Sequence, residues 1–448
     1  MSRKVVLAIV DGLTPTMLEG SLGTPTAPWL TRLAEHGAYR RATSVFPSLT
    51  PVCLSSIATG AYPDVHEIPH LVWYHRGERR LVEYGSSFGA MRAAGARQAF
   101  RDTIVNMNAA HLGRRAVTAY EAVQDAGLVA ASVNITCYRG RTPHTSRVPI
   151  VKGPVLGPQR FFFYSLFESD PTGAPTAWRN RAAGTIDDYA VGVGRWLVTR
   201  DGFDLLVYYL SDYDYASHAL GPDAAHEALG RSDAALGALV EAAGGLDAFL
   251  ERYALIVCAD HGQTPVREVA NLGERLAGEE GVLVTASNRA GQLYDLDGRR
   301  DAGALAALLD GESSVGVALY REDGVAVARR ETEELRFSRT RDGWELAGDG
   351  SILDQPNALE RSWRALANPN AGEVLISAAA GWEFADLGGR HHLGGGSHGS
   401  LDAGDSEVPV LTVGLDGEPR SITELAPLAL GALGVSPPAY APPLGRAA

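Results

Sequence analysis

The segment Lys4-Val5-Val6-Leu7-Ala8-Ile9-Val10, closed by Asp11-Gly12, decides the fold. An apolar run this short, ended by an acid, is neither a signal peptide nor a membrane span. No polar residue alternates within it, so both of its faces must be covered. That pattern belongs to a strand inside a parallel sheet. The runs 204–210 (Asp-Leu-Leu-Val-Tyr-Tyr-Leu), 253–259 and 408–414 read the same way, and 129–135 is a fifth candidate. Helical patterns lie between them at 27–36, 51–58, 116–126, 186–199, 223–242 and 423–433. Strands alternating with helices predict an α/β fold: an α/β/α sandwich with a mostly parallel central sheet.

The stretch 263–394 differs in texture. It contains Asp297-Gly298, Asp323-Gly324, Asp342-Gly343 and Asp349-Gly350 between strand-like runs, which is a hairpin signal. It is predicted to be an inserted smaller α+β cap lobe, with 1–262 and 395–448 forming the catalytic core. A second, loop-rich insertion is expected at 136–185. Its run Phe161-Phe162-Phe163-Tyr164 is expected in the core or against the lobe, since large apolar side chains are mostly buried.

The chain has 448 residues, with Lys+Arg 40 against Asp+Glu 53, a net charge of −13. That balance argues against bulk nucleic-acid binding, which needs a basic face. It leaves room for a small phosphorylated substrate beside a bound metal. Hydrophobic content of 45% and charged content of 21% exclude a disordered, collagen-like or coiled-coil chain. Cys53, Cys137 and Cys258 cannot build a disulfide framework at this length and fit a reducing compartment. With no run long enough for a bilayer, the expectation is a cytoplasmic protein without a membrane partner.

In open α/β sheets, ligands bind beyond the carboxyl ends of the strands. Strand 4–10 ends at Asp11. Run 204–210 leads into Ser211-Asp212-Tyr213-Asp214-Tyr215-Ala216-Ser217-His218, and 253–259 ends at Asp260-His261-Gly262. Just before 408–414 lies Gly394-Gly395-Gly396-Ser397-His398-Gly399-Ser400. These Asp and His groups could converge, and a mixed N/O set suits a first-row divalent ion, usually Zn²⁺. Each also has an ordinary reading: Asp11 as a helix N-cap, Asp260-His261 as a strand-end turn, His398 as a loop residue. Their joint placement at strand ends carries the metal reading.

In Phe46-Pro47-Ser48-Leu49-Thr50-Pro51-Val52-Cys53-Leu54, a Thr before Pro heads an apolar helical pattern. Thr50 is predicted as the N-cap, Pro51 as the first helical residue and Gly60 as the stop. A helix N-terminus also attracts phosphate. A threonine hydroxyl there becomes a nucleophile when a metal lowers its pKa.

Together with Ile9-Val10-Asp11-Gly12 and Thr59-Gly60-Ala61-Tyr62-Pro63-Asp64-Val65-His66, these motifs resemble the alkaline phosphatase superfamily. More narrowly, they resemble its type I phosphodiesterase / nucleotide pyrophosphatase branch. The resemblance covers 1–262 and 395–448 in order. It implies two divalent metal ions, most simply zinc. Asp214, His218 and His398 would hold the first. Asp11, Asp260 and His261 would hold the second, with the nucleophile Thr50 bridging towards it. It further implies hydrolysis of phosphoric diesters or nucleotide pyrophosphate bonds through a covalent phospho-threonine. The implied partner is a small phosphorylated substrate, a nucleotide among the candidates.

Two positions depart from the branch. Its phosphate-binding Asn aligns with Leu71, leaving His70, Trp73, Asn106 and Asn108 as substitutes, and its Gly after His66 is Glu67. His391 and His392 compete with His398 as the last ligand. Sulfatase chemistry is disfavoured, because relatives of that kind carry Cys or Ser where this chain has Thr50, with Pro and Arg where it has Val52 and Leu54. Phosphomonoesterase, phosphonate hydrolase and phosphomutase remain alternatives, and a non-catalytic α/β binding module is a remote one. Diesters are expected to be preferred. Residues 46–74 contain no Lys or Arg, and Leu71-Val72-Trp73-Tyr74 suit an apolar ester group. Arg139, Arg141 and Arg147 lie in a loop that could fold over the site or simply face solvent.

Overall fold

The computed structural model describes residues 4–148, 151–176 and 185–443. The ends of the expected core at 1–3 and 444–448, and parts of the expected insertion at 149–150 and 177–184, lie outside the described residues.

Lys4–Val10 is a strand whose residues from Val5 onward are all buried. It pairs in parallel with Leu205–Leu210 on one side and with Tyr253–Cys258 on the other. Ala130–Val133 and Arg160–Phe163 extend the parallel part beyond Leu205–Leu210. Antiparallel strands close the edges: Glu407–Val413 and Gly37–Thr43 at one, Phe167–Glu168 at the other. The result is an eight-stranded, mostly parallel sheet. Helix His226–Ala242 packs against Thr185–Thr199 and Pro28–Ala34 on one face. Helices Thr50–Thr59, Ala119–Asp125 and Leu425–Ala432 pack together as the second helical layer. Apolar runs covered on both sides therefore produce the α/β/α sandwich.

The expected loop-rich insertion at 136–185 is corrected in part. Phe161, Phe162 and Phe163 form a buried strand of the main sheet, because three successive aromatic residues need cover on both faces. A second sheet, seven-stranded and antiparallel throughout, is built from strands between Val282 and Ala378. Asp323-Gly324 and Asp342-Gly343 sit between its paired strands. Asp349-Gly350 is no hairpin: Asp349 accepts the Ser351 N–H and opens a 3₁₀ turn.

Arg289 ties this second sheet to the core. Its side chain is fully buried and donates to Asp405 Oδ1 at 2.8 Å and to Asp402 Oδ2 at 2.6 Å. Asp405 also accepts from the Ser400 N–H, the Ser400 hydroxyl and the Thr264 hydroxyl. Arg289→Met removes the charge while filling similar volume, and strands a fully buried carboxylate. A loss of about 3–5 kcal/mol is expected in urea unfolding. A loss under about 1 kcal/mol would show that the pair does not hold the two sheets together.

Candidate active site

Three adjacent parallel strands end at the same edge, and each end delivers a carboxylate. Asp11 follows Lys4–Val10, and Asp260 and His261 follow Tyr253–Cys258 by way of Ala259. Leu205–Leu210 runs into helix Asp212–Leu220, where Asp214 and His218 lie one turn apart on one face. Their side chains come within 3.4 Å.

His398 arrives from far along the chain. Gly396–Ser397 pairs antiparallel with Thr264–Pro265, just past His261. This return requires glycine at 395, since a Cβ there would lie 2.0 Å from the His218 carbonyl oxygen. The His261 and His398 rings stack with centroids 3.5 Å apart. Thr50 Oγ lies 3.1 Å from His261 Nε2. The seven residues singled out in the sequence thus form one cluster. Asp11, Thr50, Asp214, His218 and His398 line a cavity of about 400 Å³. Asp260 and His261 stand behind them, with His261 Nε2 3.3 Å from Asp11 and 3.4 Å from Asp260.

The cluster suits cations. Nδ1 of His218, His261 and His398 lies 2.7, 3.0 and 2.8 Å from the carbonyl oxygens of Gly396, Gly262 and Ser48. Each Nδ1 therefore carries a proton, and the Nε2 atoms face the cluster, that of His218 towards Asp214, that of His261 towards Thr50 and that of His398 towards Asn288. Asp11 Oδ1 and Asp260 Oδ2 are buried without a hydrogen-bond partner. Burial, then the charges of Asp260 and Asp214, drives the Asp11 carboxyl well above its ordinary pKa. Burial also raises Asp260. His398 is pushed well below the imidazole range by burial and then by His261 and His218. A buried carboxylate or imidazole lone pair is costly unless a proton or a metal ion meets it. Ligand atoms lie within 4.8 Å of one another in two overlapping sets, Asp214-His218-His398 and Asp11-Asp214-His261.

Thr50 is not the N-cap. Leu49 caps the helix, and Thr50 is already its first residue, with no side-chain capping bond. The Leu49 carbonyl takes the Val52 and Cys53 N–H groups, while the Thr50 hydroxyl turns to His261. Gly60 ends the helix with φ of 65°, as predicted.

Several expected substitutes are engaged elsewhere. Asn106 donates to Asp102, and Asn108 bonds the backbone of Thr136, Tyr138 and Arg139. Arg139 and Arg141 pair with Glu121, and Arg147 pairs with Glu168, so this loop does not fold over the site. His392 stacks on His218 but its Nδ1 is tied to Glu383, and His391 and His392 both line the cavity.

The cavity also holds Tyr84, Tyr209, Asn288 and Arg390, which no sequence signal marked, and Tyr164 from the aromatic run expected in the core or against the lobe. Tyr209 donates to Asp11 Oδ2, and Asn288 Nδ2 lies 3.0 Å from His398 Nε2. Gln263 donates to Asp214 Oδ1 and accepts from the Ser217 hydroxyl. Its place next to Asp260-His261-Gly262 was the one available hint.

The sequence matches the profile of the type I phosphodiesterase / nucleotide pyrophosphatase family over residues 5–401, and the chain belongs to that family. It is thereby an enzyme of the alkaline phosphatase superfamily. Comparison with curated proteins gives no match. Among solved structures, it resembles phosphonoacetate hydrolase from Sinorhizobium meliloti 1021 in complex with phosphonoformate. The TM-score is 0.64 at 19% identity, covering 96% of each chain. Murine ectonucleotide pyrophosphatase / phosphodiesterase 5 gives a TM-score of 0.62 at 16% identity, over 99% of this chain and 98% of that one. An inactive threonine-to-alanine variant of the murine protein, in complex with AMP, gives 0.60 at 16% identity, over 99% and 97%.

His66, conspicuous in the sequence motif, is buried away from the cavity. Its Nε2 meets the Ser56 hydroxyl at 3.0 Å and its Nδ1 accepts the Ile68 N–H at 3.2 Å. Burial pushes its pKa down to about 3. The folded state therefore holds His66 neutral, and its contribution is complete above the unfolded pKa of about 6.5. Below that it is lost, at about 1.4 kcal/mol per pH unit down to the folded value. Urea midpoints at pH 7 and pH 5 should fall further for the wild type than for His66→Gln. Equal falls in the two proteins would contradict a neutral, buried His66.

Proposed function

We propose that this enzyme hydrolyses phosphoric diesters or nucleotide pyrophosphate bonds through a covalent phospho-threonine on Thr50, using two zinc ions. The observation that carries the reading is the Thr50 hydroxyl beside His261, on the wall of a cavity lined by carboxyl and imidazole groups. In this reading Asp214, His218 and His398 hold one ion, and Asp11, Asp260 and His261 hold the other, with Thr50 beside it. The bound ions supply Lewis acidity, which lowers the pKa of a hydroxyl and offsets charge on phosphoryl oxygens.

The chain's own residues supply the rest. Thr50 gives up its proton to solvent, and Oγ forms the new bond to phosphorus in line with the leaving oxygen. The P–O bond to the leaving group breaks, and that oxygen takes the electron pair. A water oxygen then attacks the phospho-threonine, the P–Oγ bond breaks and Thr50 regains a proton. Tyr209 orients Asp11, and Gln263 orients Asp214, through the hydrogen bonds described above. The stretch 263–394 acts as a cap over the core, contributing Asn288, Arg390 and Leu393 to the cavity wall.

A phosphonate or monoester reading has one observation in its favour. Arg390 is the one Lys or Arg lining the cavity among the described residues, and it can meet a second anionic group on the substrate. Leu71, Tyr84, Tyr164, Tyr215 and Leu393 favour the diester, because they offer apolar and aromatic surface to an ester substituent. Cys53, Cys137 and Cys258 are buried free thiols, which supports a reducing, cytoplasmic setting. Among the described residues, no helix is long and apolar enough to cross a membrane.

Two measurements test this reading. Metal analysis should find two zinc ions per chain, and Asp260→Ala and His398→Ala should each lose metal and activity together. Metal-free wild-type protein, or full activity in both variants, would rule out the metal assignment. Second, kcat/KM is compared for bis-aryl phosphate, an aryl nucleotide diester, an aryl monoester and phosphonoacetate. Diesters should lead, and Thr50→Ala should lose at least 100-fold, with little change in stability because Thr50 makes no capping bond. Preference for phosphonoacetate or the monoester would move the assignment to those reactions.

A further inference from the structure

Asn288 and Arg289 are the two turn residues of a β-hairpin, between strands Val282–Ser287 and Ala290–Asp295 of the second sheet. Polar residues at a hairpin tip ordinarily face solvent. Here both are buried, Asn288 at 8% exposure and Arg289 at 0%. Asn288 has φ of 56°, a left-handed conformation that asparagine adopts more readily than most residues. The tip is held from several sides. The Arg289 N–H donates to the His398 carbonyl at 2.8 Å, and the Asn288 carbonyl accepts the Phe384 N–H at 2.7 Å. Gly399 permits the approach, since a Cβ there would lie 3.2 Å from the backbone nitrogens of Arg289 and Ala290. The Arg289 side chain is accounted for by Asp402 and Asp405. The Asn288 side chain instead lines the cavity, next to His398, which lines it too.

The carboxamide faces a candidate ligating atom. Its Nδ2 lies 3.0 Å from His398 Nε2, and its Oδ1 accepts the Ser287 hydroxyl at 3.0 Å. His398 can hold a cation only as the neutral ring. With Nδ1 set against the Ser48 carbonyl, that ring carries its proton on Nδ1, and Nε2 is an acceptor. The amide nitrogen, rather than its oxygen, therefore faces the ring. A residue that merely orients a ligating histidine bonds its far nitrogen, and Ser48 already does so. Asn288 occupies the near one.

Once Nε2 is committed to a cation, the Nδ2 hydrogens lose that acceptor, and no other is recorded for them among the described residues. Asp214 Oδ1, 4.0 Å from His398 Nε2, already takes the Gln263 amide. The fixed tip keeps the donor at the cavity wall, where a buried N–H without a partner is costly. A phosphoryl oxygen is an acceptor only, and meets that need. We propose that Asn288 Nδ2 donates a hydrogen bond to a non-bridging phosphoryl oxygen of the substrate, so that the cap hairpin supplies a substrate-binding group to the reacting centre. No covalent bond changes in this contact; a donor is set where negative charge builds.

The inference rests on the phosphoryl-transfer reading above, and its test separates the two. Wild type, Asn288→Gly and Asn288→Asp are compared by zinc titration of the metal-free protein, by calorimetric titration of the zinc-loaded protein with orthophosphate, and by kcat/KM on the best diester. Glycine and aspartate both tolerate the left-handed turn position, so Tm should be retained. Asn288→Gly should bind zinc at least as tightly as wild type, because no amide competes for His398 Nε2. Its orthophosphate affinity should fall about tenfold and its kcat/KM about 10- to 100-fold. Asn288→Asp keeps the shape and the acceptor for Ser287 but replaces the N–H groups with negative charge. It should hold zinc more tightly and lose more orthophosphate affinity than the glycine variant.

Orthophosphate affinity within twofold of wild type in Asn288→Gly would overturn the proposal. Loss of a zinc ion from that variant would also overturn it, by making Asn288 a metal ligand. So would a wild type that takes up no zinc, or one that is loaded and binds no orthophosphate. Where the glycine variant fails to fold, Asn288→Asp decides: lost orthophosphate affinity with zinc retained supports the proposal, and unchanged affinity overturns it. Wild type that binds orthophosphate but turns over no ester refutes the hydrolase reading alone, and the orthophosphate affinities of the variants still decide the role of Asn288.

Discussion

Asp11, Asp214, Asp260, His261 and His398 are buried together with the partly buried His218 beside them, and the rest of the site is organised around that constraint. Burial and mutual repulsion raise the Asp11 carboxyl and lower the His398 imidazole. Such a cluster opposes folding on its own account and favours any cation that enters it. The surroundings relieve it only in part: Tyr209 and Gln263 donate to Asp11 Oδ2 and Asp214 Oδ1, but Asp11 Oδ1 and Asp260 Oδ2 have no donors, while three backbone carbonyls engage the ring Nδ1 atoms. The chain holds acceptors in place and leaves the positive charge to be supplied from outside.

Holding that arrangement requires rigid supports on both sides. On the core side they are three parallel strands, paired residue by residue so that their carboxyl ends coincide. On the other side is the loop from Gly396 to Asp405. Asp405 accepts from Arg289, Thr264 and Ser400, and so anchors the loop that carries His398. Arg361, also buried, donates to the Leu401 and Val45 carbonyls and links the same loop to the segment before Thr50. The segment before Thr50 and His398 are thus fixed by a shared set of buried hydrogen bonds. Breaking one strand of that network would move both, because an interior packed this closely has few alternative arrangements.

Beyond the metal cluster, the cavity wall is assembled from distant segments. Leu71 and Tyr84 come from the ends of a hairpin, Tyr164 and Tyr215 follow two strands of the main sheet, and Asn288 and Arg390 come from the second sheet and the return loop. Tyr164 has φ of 45° and Ser165 φ of 59°, an uncommon conformation for non-glycine residues, held partly by the Asn134 side chain on the Tyr164 N–H. The cavity wall and the Asp/His cluster are thus carried by different parts of the chain.

The sequence by itself determined the parallel core and the place of the Asp/His cluster at its edge, and for one physical reason. Lys4–Val10, Leu205–Leu210 and Tyr253–Cys258 must be covered on both faces, which forces a sheet with helices on either side. Polar groups placed just past such strands can only emerge at the carboxyl edge. The gathering of Asp11, Asp214, His218, Asp260 and His261 at one edge was therefore legible from their joint placement after strands, although each alone also had an ordinary reading. Other features were decided only in three dimensions. The N-cap expected at Thr50 moved to Leu49 because the threonine hydroxyl has a better partner in His261, 211 positions away in the chain. Arg139, Arg141 and Arg147 turned away because buried or half-buried carboxylates on their own side claim them. Tyr84, Asn288 and Arg390 entered the cavity through hairpin register and sheet docking, which fix contacts between residues far apart in sequence. Periodicity reports which face of an element is buried, but not which distant side chain it meets.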